Sequence, residues 1–198
     1  MPTQRFPFTL FRGRPNLDQA CCTLFLQDRL KLPKISLPDL FEKFDYVTVR
    51  LETLPRGPWS TPLRDVVALL KTVLCTEPDR VMEVGSYQGY TALLMAQHTP
   101  DDTMIVTVDR EPDHGEAYRE TEFASKIDRR VGTISPKLFD KDPEGSYDFI
   151  FLDAGHKYHE VKHDTELLLP LLSENGFFFW HDYANWGYFM QHNGVPEY

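Results

Sequence analysis

The chain has 198 residues with a formal net charge of -9, 41% hydrophobic and 13% aromatic residues. That suffices for one buried core and is short for two ordinary domains, while no apolar run approaches the ~18 residues of a membrane span. The acidic balance repels a phosphate backbone, so neither nucleic acid nor a membrane is expected as a partner.

The opening stretch MPTQRFPFTLFRGRPN is interrupted by Pro2, Arg5, Pro7, Arg12 and Arg14, and so lacks the continuous apolar region of a secretory signal; a cytoplasmic location is the expectation. Cys21, Cys22 and Cys75 show neither CxxC spacing nor a disulfide framework, and read as reduced thiols. Pro33, Pro38, Pro55 and Pro58 divide the first part into short pieces, so residues 1–58 read as an extension packing on the domain or on an oligomer surface, and 59–198 as the domain proper.

Thr61-Pro62 has the form of an N-cap followed by proline at the first helical position, opening a helix with Val66, Val67, Leu70, Val73 and Leu74 on its apolar face. From there short apolar runs alternate with amphipathic stretches. Strands are expected at 80–85, 104–109, 130–133, 147–153 and 176–182, the last entered through a turn at Ser173-Glu-Asn-Gly176. Helices are expected at 88–97 and 158–172, with Pro170 shortening the second. The alternation predicts an α/β fold: a doubly wound, Rossmann-like, mostly parallel sheet with helices on both faces.

In such a sheet ligands bind beyond the carboxyl ends of the strands. The residues at those ends are Glu83, Asp109, Asp153, His181 and Asp182. Glu83-Val-Gly85-Ser-Tyr-Gln-Gly89 puts two glycines where the chain turns from strand to helix, a place where a ligand can approach the backbone. The spacing is not GxGxxG, since Tyr87 stands where the dinucleotide fingerprint has its second glycine, which disfavours a pyrophosphate cofactor. Asp109, 26 residues after Glu83, suits a pair of ribose hydroxyls.

These residues resemble the first motif of the class I S-adenosylmethionine-dependent methyltransferases. Asp153-Ala-Gly-His156-Lys-Tyr158 and His181-Asp182-Tyr183 further resemble the subfamily with a D-x-x-H-x-Y motif after the fourth strand and an H-D-Y motif after the fifth, and the likeness extends upstream to Ile35. The resemblance implies methyl transfer from S-adenosylmethionine to an oxygen or nitrogen of a small-molecule acceptor. It implies that Glu83, Gly85, Gly89 and Asp109 contact the cofactor, with Ser86, Thr91, Thr133 and Asp153 in the same pocket.

Because the sulfonium is already activated, the protein has to align the reactants and remove an acceptor proton. His156 is the first choice for that base, with Asp153 and His181 beside it. Asp153 and Asp182 are alternatively ligands for a divalent cation such as magnesium, as in some related O-methyltransferases, although His181-Asp182 departs from their pair of oxygen ligands. His159 and His163, four apart, read as a solvated helix face.

Trp180 reads as core, while Tyr183, Trp186, Tyr188 and Phe189 are candidates for the acceptor pocket. The resemblance implies two more strands after the fifth, yet Ala184–Tyr198 with Gly187, Gly194 and Pro196 offers no room for them. A truncated form or a short sheet with an open edge follows, and with it a tendency to form homo-oligomers. Two other functions fit the same architecture: a cofactor-binding module without catalysis, and a nicotinamide-dependent oxidoreductase.

Overall fold

A computed structural model describes residues 35–51 and 60–181. After a short helix α1 (Leu37–Leu40) come α2 (Leu63–Thr76), β1 (Arg80–Val84), α3 (Tyr90–His98), β2 (Met104–Asp109) and α4 (Glu116–Arg119). β3 (Ile127–Val131), β4 (Tyr147–Leu152), α5 (Tyr158–Leu168) and β5 (Leu172–Trp180) follow, with short 3-10 turns between them.

The five strands form one parallel sheet in the order β3-β2-β1-β4-β5, which is the doubly wound, Rossmann-like arrangement. Winding runs outward in one direction through β2 and β3 and in the other through β4 and β5. The point of reversal lies between β1 and β4, and there the carboxyl ends of the strands leave a crevice.

The central strands are mostly apolar because both faces of the sheet are covered, with Glu83, Thr107 and Asp148 as their internal polar positions. Val81, Ile105, Phe149 and Phe151 face one core cluster with Val66, Leu69, Leu70 and Val73 of α2 and most of α3. Met82, Val84, Val106, Val108, Ile150 and Leu152 face the other with Leu168 and Leu171. Residues 35–51 lie against the first face: the Phe41 ring meets Phe177 at 5.2 Å, and Val49 and Leu51 pack on the cluster. The Arg50 amide donates to His98 Nε2 at 2.8 Å, and Lys71 donates to the Phe44 carbonyl at 2.7 Å.

Several boundaries differ from the expectations for physical reasons. Pro62 is itself the N-cap of α2, and the buried stripe is Val66, Leu69, Leu70, Thr72 and Val73, with Val67 and Leu74 only half-buried. Thr72 is tolerated there because its hydroxyl donates to the Ala68 carbonyl. β3 begins at Ile127 rather than 130; it is an edge strand with one buried residue, so its Asp128-Arg-Arg130 run hides the pattern. β5 begins at Leu172, because Ser173-Glu-Asn-Gly176 does not end the pairing. It is absorbed as an irregularity, with Tyr147 opposite Leu172 and Phe149 opposite Phe177. Helix α5 stops at Leu168 and Pro170 sits in the 3-10 turn beyond it. Among the described residues β5 is an edge, paired only to β4; the stretch expected to follow it, including Asp182, Tyr183, Trp186, Tyr188 and Phe189, lies outside them.

At the switch point β1 and β4 approach so closely that residue 85 has to be glycine. Its φ is +102°, and a Cβ placed there would stand 1.9 Å from the carbonyl oxygen of Asp153. The close approach that this glycine demonstrably permits is that of the neighbouring strand. Gly85→Ala combines a left-handed backbone with a clash against main chain, and is expected to cost about 3 kcal/mol or more of stability, read as a lower urea midpoint.

Candidate active site

The crevice opens into a cavity of about 910 Å³ whose wall includes Gly85, Ser86, Gly89, Thr91, Asp109, Thr133, Asp153, His156 and His181. Nine of the ten described residues singled out from the sequence thus line one space. The strand ends hold them there by main-chain bonds that continue the sheet: Gly85 donates to the Val108 carbonyl at 2.9 Å, Asp153 to that of Val84 at 2.8 Å, and His181 to that of Leu152 at 3.0 Å.

The tenth, Glu83, is absent from that wall. It is wholly buried in β1, one strand position beneath the glycine turn, on the face shared with its cross-strand neighbours Thr107 and Phe151. Thr107 donates to Glu83 Oε2, and the hydroxyls of Ser86 and Thr107 are hydrogen-bonded to each other. Oε1 makes no hydrogen bond of ordinary geometry. Burial pushes the Glu83 carboxyl up to about 8 against the opposing pull of the Thr107 hydroxyl, with the charges of Asp153 and Asp109 adding to the rise. The side chain is therefore protonated at neutral pH.

Asp109 has the opposite environment. Burial would raise its carboxyl, but hydrogen bonds from the Glu111 amide, His114 and the Tyr87 amide outweigh this and hold it below the ordinary carboxylate value. The Tyr87 amide reaches Oδ2 at 2.8 Å, the Glu111 amide reaches Oδ1 at 2.9 Å, and His114 Nδ1 lies 2.9 Å from Oδ2. Tyr87 adopts φ 44°, a left-handed conformation unusual for a residue with a Cβ, and Asp109 together with the Gly115 amide on its carbonyl fixes it there. The Tyr87 and His114 rings meet edge to face at 5.3 Å. Arg129 secures the same loop from below through the His114 carbonyl at 3.1 Å. The result is an ionised carboxylate on a rigid lip, able to accept further hydrogen bonds from a vicinal diol.

On the opposite side Asp153 is the centre. Its Oδ1 lies 3.0 Å from His181 Nδ1 and its Oδ2 accepts from the Thr61 hydroxyl at 3.4 Å; His181 Nε2 lies 3.5 Å from Asp65 Oδ2. Both nitrogens of His181 thus face carboxylates. Among the described residues no group of three His, Cys, Asp or Glu stands where it could hold a metal ion. The Asp153 oxygens, turned to His181 and Thr61, do not fit a cation in this arrangement, and Asp182 lies outside the described residues.

Four residues of the α5 side were set aside or overlooked in the sequence. His159 and His163, expected on a solvated face, border the cavity together with Glu160 and Asp164. Their exposure is that of a cavity mouth, which a helical period does not distinguish from open solvent. Thr61 was read only as a helix cap and Asp65 was passed over; nothing in the local pattern indicates that they meet Asp153 after β4 and His181 after β5. His114, five residues after Asp109, carried no motif of its own.

A family model described as a methyltransferase domain matches residues 82–183. The chain is 32% identical over 113 residues to caffeoyl-CoA O-methyltransferase 1 of Eucalyptus globulus, a match covering 52% of this chain and 46% of that one. It is 36% identical over 93 residues to caffeoyl-CoA O-methyltransferase 1 of Zea mays, covering 41% and 36%. The chain spans about half the length of the curated relatives it matches. In fold it is similar to the O-methyltransferase TomG from Streptomyces achromogenes, solved in complex with SAM, with a TM-score of 0.58, 18% identity, and 90% of this chain and 78% of that one covered. An SAH-bound methyltransferase from Podospora anserina gives a TM-score of 0.53 at 23% identity, covering 90% and 73%.

The buried acid makes stability depend on pH with a definite sign. Because the folded value of Glu83 is about 8 against an ordinary 4.5, its contribution is fully present below pH 4.5 and is lost as pH rises through 8. Within that window wild-type stability is expected to fall by up to about 1.4 kcal/mol per pH unit from this group alone. Glu83→Gln should flatten the slope, as measured by denaturant melts at pH 6, 7, 8 and 9.

Proposed function

The chain belongs to the methyltransferase domain family, which its residues 82–183 match, and from that premise we propose that it transfers the methyl group of S-adenosylmethionine to a hydroxyl oxygen of a small-molecule acceptor. The observation that carries this reading is the pinned carboxylate of Asp109 on one lip of a cavity that opens at the β1–β4 switch point. An ionised, half-buried carboxylate held by two main-chain amides supports recognition of the cofactor's ribose diol.

The charge of the cavity supports a cationic cofactor. Asp109, Glu111, Asp153, Glu160 and Asp164 line it, against one guanidinium, that of Arg110. S-adenosylmethionine carries a sulfonium and an ammonium against one carboxylate, and a cavity with this surplus attracts it. A nicotinamide dinucleotide, with its pyrophosphate, would meet repulsion instead, and Tyr87 at the turn leaves no glycine nest for it.

The chemistry asks for alignment and for removal of one proton. The sulfonium supplies an activated methyl group, so the cavity walls orient the acceptor oxygen behind it and exclude water. Asp153, with Thr61 and His181 on its two oxygens, anchors the acceptor side. His181 has carboxylates at both ring nitrogens and is assigned a positioning role. His156, on the loop that leaves β4 and on the cavity wall, is assigned as the base that takes the acceptor proton. Thr91, Thr133, Gly85, Gly89 and Ser86 shape the cofactor side. Residues 1–58 are assigned as an extension of the domain. The cytoplasm as location and self-association through the β5 edge complete the reading.

Calorimetry with S-adenosylmethionine and S-adenosylhomocysteine tests the reading. Saturable binding of both is expected, with Asp109→Asn weakening it about tenfold or more by removing a charge-assisted acceptor. A folded protein that binds neither contradicts the reading. With an acceptor phenol identified, His156→Gln is expected to lower kcat by about 10²-fold or more while leaving cofactor affinity unchanged; unchanged kcat would remove His156 from the role of base.

A further inference from the structure

The sequence allows a divalent cation on Asp153, and the structure sets a histidine against that carboxylate instead. The His181 amide, bonded to the Leu152 carbonyl, fixes the residue beside the end of β4. Its side chain, 13% exposed, brings Nδ1 to 3.0 Å from Asp153 Oδ1 and Nε2 to 3.5 Å from Asp65 Oδ2. The other Asp153 oxygen accepts from the Thr61 hydroxyl at 3.4 Å, and the other Asp65 oxygen accepts from Arg64 Nε at 3.2 Å. Resting on the methyl-donor reading above, we propose that His181 is the protein's own substitute for a divalent cation: its imidazolium joins Asp153 to Asp65 and keeps a metal ion off Asp153, so that the cofactor is bound and the acceptor aligned without one.

The ring and a metal ion compete for the same oxygens. A hard divalent cation gathers six or more oxygens at about 2.0–2.6 Å. Asp153 and Asp65 stand at different nitrogens of one imidazole and do not close on a shared ion while the ring is between them. Among the described residues no group of three His, Cys, Asp or Glu is placed to hold a metal. A neutral imidazole carries hydrogen on one nitrogen only and turns a lone pair toward the second carboxylate, whereas the imidazolium donates toward both. Charges then alternate along Arg64, Asp65, His181 and Asp153, and neither acid is left uncompensated at the rim.

These contacts also tie elements together as a bridging ion does. Thr61 and Asp65, one turn apart where α2 starts, grip Asp153 and His181, whose main chains follow β4 and β5. Ser60, Thr61 and Pro62 are thereby held as part of the cavity wall. His181 is in this sense a positioning residue, acting through Asp153 and the start of α2.

Manganese binding and S-adenosylhomocysteine binding, measured separately on the full chain after dialysis against EDTA, test the proposal. In a manganese titration followed by electron paramagnetic resonance, wild type is expected to take up no more ion than Asp153→Asn does. His181→Asp, which puts an oxygen ligand where the ring stood, is expected to take up about one ion per chain with a Kd of about 10⁻⁴ M or tighter. Manganese should raise the Tm of that variant and leave the wild-type Tm in place. The wild-type Kd for S-adenosylhomocysteine is expected to agree within about twofold in EDTA and in manganese. A manganese ion bound by wild type and lost in Asp153→Asn overturns the proposal. So does a wild-type affinity for S-adenosylhomocysteine that falls about tenfold or more in EDTA and returns with manganese. Folded His181→Asp that takes up no more manganese than wild type also overturns it, and the two wild-type comparisons decide the matter if that variant does not fold. Folded wild type that binds S-adenosylhomocysteine under neither condition contradicts the methyl-donor reading, while the manganese titration still decides whether the ring excludes the metal.

Discussion

Everything at the functional end of the molecule depends on the near-contact of two main chains at the switch point of the sheet. Gly85 and the Asp153 carbonyl approach so closely that no side chain fits between them. That contact is what brings the turn after β1 and the loop after β4 into one wall. It also lets Gly85 remain hydrogen-bonded to Val108 on its other side, so that the ends of β1, β2 and β4 are joined into one rigid rim. On this rim the polar residues stand at fixed separations, as a site that orients two reactants requires.

The acids at these strand ends resemble one another in sequence and differ in state because their surroundings differ. Asp109 is at the rim, where two amides and His114 compensate it, and it keeps its charge. Glu83 is one layer deeper, where the Thr107 hydroxyl and the Ala92 amide do not offset desolvation, and its carboxyl is pushed up to about 8. Asp153 is shared between His181 and Thr61. A cavity lined by five carboxylates and one guanidinium attracts a cation without placing uncompensated charge in the core.

The sheet was legible in the sequence wherever burial on both faces forced a largely apolar run, as in Phe149–Leu152 and, apart from Glu83, in Val81–Val84. It was less legible at the edges, where β3 needs only Ile127 buried and β5 carries Ser173-Glu-Asn-Gly176 inside the pairing. The site was legible where it sits at strand ends, since topology alone brings those together. It was not legible where helices and their starts supply it: Thr61 reaches Asp153 across 92 positions of sequence, Asp65 reaches His181 from further still, and His159 and His163 border a cavity that their spacing does not announce. The glycines also have packing reasons that the sequence did not announce. Gly85 accommodates a strand, and Gly89 accommodates the Tyr118 ring, which a Cβ would meet at 2.7 Å.

The most direct test of the central claim, that the β1–β4 crevice is the seat of the methyl donor, is a crystal structure of the protein grown with S-adenosylhomocysteine. The account predicts the ligand in that crevice, its ribose hydroxyls on the Asp109 carboxylate and its sulfur turned toward Asp153 and His156. Ligand density at another surface, or an Asp109 carboxylate left without contact to the ribose, would contradict it.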